Sequence, residues 1–147
     1  MSIYQHILLA IDFSDHGNEV SSKAKSLAMS NQADLSIVHV LDNIPMPDTS
    51  YGTVISLTED SDNALLEIEK TKFNEIADRL GVAQANRWLI WGAPKQEITQ
   101  LAGQIKADMI VVGSHGRHGL ALLLGSTANA VLHHARCDVL AVRLQDE

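Results

Sequence analysis

A chain of 147 residues with 46% hydrophobic and 20% charged side chains has the makings of one folded domain spanning 1–147, and is too apolar for a disordered one. Its formal net charge of −7, with no basic block, excludes the clustered cationic face that nucleic acid or an anionic membrane surface requires. Cys137 is the only cysteine, which excludes an intrachain disulfide.

The first residues, Met1-Ser2-Ile3-Tyr4-Gln5-His6, lack the basic start and apolar stretch of a signal peptide. No apolar run approaches the ~20 residues that span a bilayer, so the cytoplasm is the expected location. His6 to Ile11 is continuously apolar after its first residue, as a strand covered on both faces should be. Asp12 ends it, and Ser14 or Asp15 can cap the helix that follows, with Val20, Ala24, Leu27 and Ala28 as its buried stripe. Leu35 to Leu41 is the second strand. Asp42 to about Thr58, with Pro45, Pro47 and Gly52, reads as a long loop of the kind that is usually functional or mobile.

Thr58-Glu59-Asp60-Ser61 supplies caps for a long helix whose buried face is expected to carry Leu65, Ile68, Ile76, Ala77 and Leu80, with Gly81 stopping it. Arg87 to Gly92 is the third strand. Pro94 suits the first turn of a helix with Ile98, Leu101, Ala102 and Ile105 on its apolar face. Asp108 to Val112 is the fourth strand, a helix runs from about Ser126 to His134, and Val139 to Val142 is the fifth strand. Strands alternating with helices in this way predict an α/β fold, a parallel sheet with helices on both faces joined by right-handed crossovers. Such sheets bind ligands at the carboxyl ends of their strands, where strand order reverses. Asp12, the His39 to Asp42 end, Gly92 and Gly113 all fall at carboxyl ends.

The most informative segment is Gly113-Ser114-His115-Gly116-Arg117-His118-Gly119, followed by Gly125-Ser126-Thr127. Glycines let a ligand approach the backbone closely, and a turn that enters a helix N-terminus gathers N–H groups and a positive dipole end. That combination favours phosphate. It is not a Walker A loop, because no Lys is present to reach the outer phosphates. Nor is it the dinucleotide fingerprint, which follows a first strand rather than a late one.

Several segments together resemble the universal stress protein family over essentially the whole chain. They are His6-Ile7-Leu8-Leu9-Ala10-Ile11-Asp12-Phe13-Ser14, Val38-His39-Val40, the Gly-Ser-His-Gly-Arg-x-Gly-Leu turn, the Leu-Leu-Gly-Ser helix entry, and the closing Cys-Asp-Val-Leu-Ala-Val-Arg. The resemblance implies a Rossmann-like three-layer sandwich with a five-stranded parallel sheet, order 3-2-1-4-5, and four helices. It implies a homodimer, through the last strand Val139 to Val142, an apolar edge that would otherwise invite uncontrolled pairing. Many members bind ATP between the end of the first strand and a G-x2-G-x9-G-[ST] loop. Carried over, Ala10 and Ile11 would line the pocket, Asp12 would face the ribose, and the Val40 backbone would lie near adenine. Gly113, Ser114, His115, Gly116, Arg117, Gly125, Ser126 and Thr127 would make up the loop around ribose and phosphates. Two departures stand out. Eight residues, Arg117 to Leu124, separate Gly116 from Gly125 where the pattern has nine, and Ala10 replaces a proline common at that position. A deletion of one residue can displace the second glycine by up to ~3.5 Å.

His115 and His118, beside Arg117, could meet phosphate as cationic donors or act as metal ligands, but no carboxylate or cysteine set converges with them. His133 and His134 point about 100° apart on a helix, a poor geometry for chelation. His39 is expected to be a satisfied residue at a strand end. Arg136 beside Cys137 could lower its pKa, although a lone cysteine is more often a small buried apolar residue. Asp12 could hold Mg²⁺ through a phosphate-bound ion. No group identifiable in the sequence would position an attacking water, so at most a slow ATPase is expected. The leading expectation is a cytoplasmic stress-response protein with ATP or a related adenine nucleotide as a regulatory ligand. The alternatives are a nucleotide-free dimeric interaction module and a weak ATP hydrolase using Asp12.

Overall fold

The computed structural model describes residues 3–13, 17–45, 50–114 and 125–143. Apolar runs of the kind seen in the sequence pair into one sheet because each can be buried on both faces at once. The strands are β1 (His6–Ala10), β2 (Asp34–Leu41), β3 (Thr53–Val54), β4 (Arg87–Trp91), β5 (Met109–Gly113) and β6 (Asp138–Val142). The helices are α1 (Gly17–Asn31), α2 (Ala64–Leu80), α3 (Pro94–Gln104) and α4 (Ser126–His134). In space the strands follow the order β3-β4-β2-β1-β5-β6.

The five expected parallel strands take the expected order, and β3 is an addition. It runs antiparallel along β4, with Thr53 opposite Trp91 and Val54 opposite Ile90. The 42–58 connection is therefore not loop throughout, and the sheet has six strands rather than five. Two residues are too few for alternation to register in the sequence. What holds them is tertiary: Trp91 Nε1 donates to the Ile44 carbonyl at 3.0 Å, Tyr51 meets the Trp91 ring edge-on, and Ile44 and Ile55 are buried.

Alternation along the strands divides the core in two. Ile7, Leu9, Ile37, Leu41, Leu89 and Val111 face α1 and α2, whereas Leu8, Val38, Val40, Ile90, Ile110 and Val112 face α3 and α4. The β1–β5 register is pinned at its start. The Asp108 carboxylate accepts from the Gln5 and His6 N–H groups at 2.8 and 3.0 Å, and the Asp108 N–H donates back to the His6 carbonyl at 2.9 Å. His6 Nδ1 lies 3.1 Å from the Ile105 carbonyl and Nε2 2.7 Å from Ser36 Oγ. In a neutral imidazole the carbonyl forces the proton onto Nδ1, so Nε2 accepts from the buried hydroxyl.

Helix α1 buries Val20, Ala24 and Ala28 as expected, with Leu27 at the margin of the stripe. Ser14 and Asp15, its expected caps, lie outside the described residues. Helix α2 departs from expectation on two points. Its cap is Asn63, whose side chain accepts from the Leu66 N–H, and not a residue of the Thr58–Ser61 stretch. Its buried face is Leu66, Lys70, Phe73, Ala77 and Leu80, while Leu65 and Ile68 are 57% and 51% exposed. The stripe passes through Lys70, and a charged residue within it conceals the period. Lys70 lays its alkyl stem in the core and sends Nζ to the Glu59 carbonyl at 2.7 Å. The C-terminal stop is as expected: Gly81 has φ +70, its N–H returns to the last turn, and Lys25 Nζ caps the Leu80 carbonyl at 2.6 Å.

Helix α3 begins at Pro94 and buries Ile98, Leu101 and Ala102, with Ile105 partly buried just past its end. Helix α4 and strand β6 occupy the expected stretches, and β6 closes one edge of the sheet.

Candidate functional site

The chain reverses its direction of growth between β1 and β5. From β1 it builds outward through β2 to β4, then crosses back over α3 to β5 and on to β6. This is the switch point at which α/β sheets open a crevice beyond their carboxyl ends. Leu9 pairs with Val111, so Asp12 and Ser114, each three residues further on, leave the sheet at the same level. The two candidate segments thus meet although about a hundred residues separate them in sequence.

Each residue at this end is positioned by its element. Ile11 is buried, with its N–H on the Val38 carbonyl at 2.9 Å, Ala10 is half-buried, and Asp12 is exposed at the rim. Val40 is buried on the α3 face opposite Ile90. Gly113 pairs with Val142, and the Ser114 N–H donates to the Val142 carbonyl at 2.8 Å. The Gly125 N–H then donates to the Ser114 carbonyl at 2.6 Å, while its own carbonyl accepts from Asn129 in the first turn of α4. Ser126 is exposed and Thr127 half-buried at the start of that helix. His115, Gly116, Arg117 and His118 lie outside the described residues.

Ser114 and Gly125, the described residues on either side of 115–124, are hydrogen-bonded to each other. Gly125 is held there by Ser114 and by the first turn of α4. Gly125 is also the cap of α4, with φ −63 and ψ 157, and makes no side-chain capping bond.

The exit from β1 carries a feature that the sequence reading missed. Phe13 has φ +59, a left-handed conformation costing about 1–2 kcal/mol for a residue with a Cβ. Its ring lies against His39, with centroids 4.0 Å apart and planes tilted by 36°. His39 Nδ1 lies 2.7 Å from the Ile11 carbonyl, and Nε2 is 3.9 Å from the Glu69 carboxylate. His39 is thus the satisfied strand-end residue expected, and it also grips the turn that presents Asp12. Backbone strain that its surroundings over-determine is common at ligand sites. No sequence signal marks it, because Phe is among the residues least suited to positive φ.

A second unforeseen residue is Glu97, in the first turn of α3 and only 8% exposed. Its carboxylate lies against Gly92, where an added Cβ would stand 2.9 Å from Oε2, and against Gly52, where one would stand 3.4 Å from Oε1. Gly52 has φ +89 and donates its N–H to the Trp91 carbonyl at 2.7 Å.

Other candidates are not part of this crevice. Burial, helped by the Asp138 and Asp108 charges, pushes the Cys137 thiol up from its ordinary value, opposite to the lowering that Arg136 could bring. It packs as a small apolar residue beside Val139 and Ala141. His133 and His134 are exposed, and among the described residues no group of three or more His, Cys, Asp or Glu could hold a metal ion. No helix among the described residues is long and apolar enough to cross a membrane.

Comparison with known proteins agrees with this architecture. Residues 3–143 match the model of the universal stress protein family. The chain is 39% identical over 146 residues to universal stress protein A homolog 2 of Coxiella burnetii, with 99% of each chain covered. It is 40% identical to homolog 1 of the same organism, covering 97% of this chain and 99% of that one. Among solved structures it resembles a universal stress protein in complex with cAMP, at 26% identity and TM-score 0.64, covering 96% and 98% of the two chains. The fold is matched by hypothetical protein MJ0577 with TM-score 0.77 at 23% identity, covering 99% of each chain. On the family match and these relatives, the chain belongs to the universal stress protein family.

Proposed function

We propose that this protein binds an adenine nucleotide, ATP foremost, at the carboxyl end of its sheet, as a regulatory ligand in the stress response. The observation that carries the reading is the meeting of Asp12 with the joined Ser114–Gly125 flanks at the switch point, beside the N-terminus of α4. Glycine at the α4 cap contributes no side chain of its own over the helix N-terminus, a setting that suits a phosphate. The cAMP complex of a structural relative supports an adenine ligand in a related chain.

In this reading Ala10 and Ile11 form the floor, Asp12 takes the ribose or a phosphate-bound Mg²⁺, and the Val40 backbone meets the base. Gly113, Ser114, His115, Gly116, Arg117, Gly125, Ser126 and Thr127 hold the phosphates. A ligand shifts a conformational population only through its differential affinity, so the nucleotide would act by ordering the segment between Ser114 and Gly125 for a protein partner to read. Titration of nucleotide-stripped protein with labelled ATP and Mg²⁺ should give saturable binding. An absence of binding at millimolar ATP would refute the reading and favour the nucleotide-free interaction module.

The protein is also proposed to work as a homodimer through β6. This edge strand presents Val139, Leu140 and Ala141 half-buried, and an apolar edge left open is a liability that pairing removes. Sedimentation at micromolar concentration should show a dimer, and a charged residue in place of Ala141 should yield monomer. Only monomer from the unaltered chain would overturn the assignment. Hydrolysis is no part of the proposal, because no residue of the sequence is identifiable as the group that would orient an attacking water.

A further inference from the structure

We infer that Glu97 is the residue that selects the base, by accepting a hydrogen bond from the 6-amino group of a purine. The inference rests on the nucleotide reading above and adds to it a residue from α3, an element that the Gly-rich loop does not involve.

Glu97 is more than nine-tenths buried, yet neither of its carboxylate oxygens has a hydrogen-bond or ion-pair partner among the described residues. Burial of a charged group without a partner is costly, and folded chains seldom retain it without a use. The carboxylate is not sealed in. Trp88 Nε1 is the one fully occluded side-chain polar atom without a partner among the described residues, so the Glu97 oxygens keep an opening to the surface. Two glycines make its berth. Gly92 could not carry a Cβ without meeting Glu97 at 2.9 Å, and Gly52 stands against the other oxygen.

Its place in the sheet suits a base. Gly92 follows β4 directly, and its N–H donates to the Leu41 carbonyl at 3.0 Å, so the carboxylate lies at the carboxyl end of the strand beside Val40. The carboxyl ends run β5, β1, β2, β4, carrying Gly113, Asp12, Val40 and then Gly92 with Glu97. Three interstrand steps make roughly 14 Å, a span that an extended nucleotide covers from phosphates to the far edge of its base. An ionised carboxylate only accepts hydrogen bonds. It therefore takes a 6-amino group and repels a 6-oxo oxygen.

The test compares ATP with inosine triphosphate, in which oxygen replaces the 6-amino group, by calorimetric titration of the full chain. The unaltered protein should prefer ATP by about tenfold or more, because a site built around a hydrogen bond rejects the analogue lacking it. Glu97→Gln keeps the shape and can turn its amide to either group, so the preference should fall to about threefold or less. An unaltered protein that binds both nucleotides equally overturns the inference without any variant. So does a Glu97→Gln protein that weakens both alike and keeps their ratio, which is the outcome of a packing role alone. Binding without discrimination removes only this inference, whereas binding of neither nucleotide removes the parent reading with it.

Discussion

Phe73→Ala is expected to destabilise the fold by about 3–5 kcal/mol, the cost of emptying a large aromatic site in a core that can only partly collapse. Phe73 is fully buried at the centre of the α2 stripe, between Leu66 and Ala77, within the cluster that includes Ile37, Leu41 and Leu89. For a chain of this length the midpoint of thermal unfolding should fall by about 10 °C. The discriminating controls are Leu65→Ala and Ile68→Ala on the same helix. Sequence periodicity assigns both to the core, yet both are more than half exposed, so each should cost less than about 1 kcal/mol. Urea denaturation of the three variants orders them directly. A larger loss from either control than from Phe73→Ala would mean that α2 packs on its other face.

The second large effect concerns binding. Gly125→Val should weaken ATP binding by about a hundredfold or more, because a branched side chain would occupy the space in which phosphate approaches the α4 terminus. The same change should leave the fold nearly intact. Gly125 has φ −63 and ψ 157, an extended conformation open to any residue, and poorer capping by Val costs only about 1 kcal/mol. Thermal unfolding without ligand, paired with ATP titration, separates the two consequences. A folded Gly125→Val protein that binds ATP as tightly as the unaltered chain would place the phosphates elsewhere. A variant that fails to fold would show that the surroundings of Gly125 leave no room for a side chain.

Much of this molecule is legible in one dimension. The five parallel strands are runs covered on both faces, and Pro94 and Gly81 mark a helix start and stop through their own backbone preferences. These features are local, so residue type and spacing suffice to find them. The strand ends that form the switch point were legible for another reason: in an α/β chain they collect on one side of the sheet whatever lies between them.

What the sequence left open depends on partners distant along the chain. Strand β3 exists only because β4 offers it an edge and Trp91 anchors the connection through Ile44. The face of α2 was decided by Lys70, a charged residue whose stem is apolar and whose ammonium finds the Glu59 carbonyl. The left-handed turn at Phe13 depends on His39, and the berth of Glu97 on glycines 92 and 52, which neighbouring strands bring opposite each other.

Composition, alternation and capping by themselves determined the class of fold and the order of its elements. Only the tertiary structure decided which face of α2 is core, where the second loop glycine stands relative to Ser114, and which buried carboxylate is left without a partner. The physical reason is that backbone preference and hydrophobic period belong to a segment, whereas burial, strain and an unmatched charge are properties of the contacts between segments.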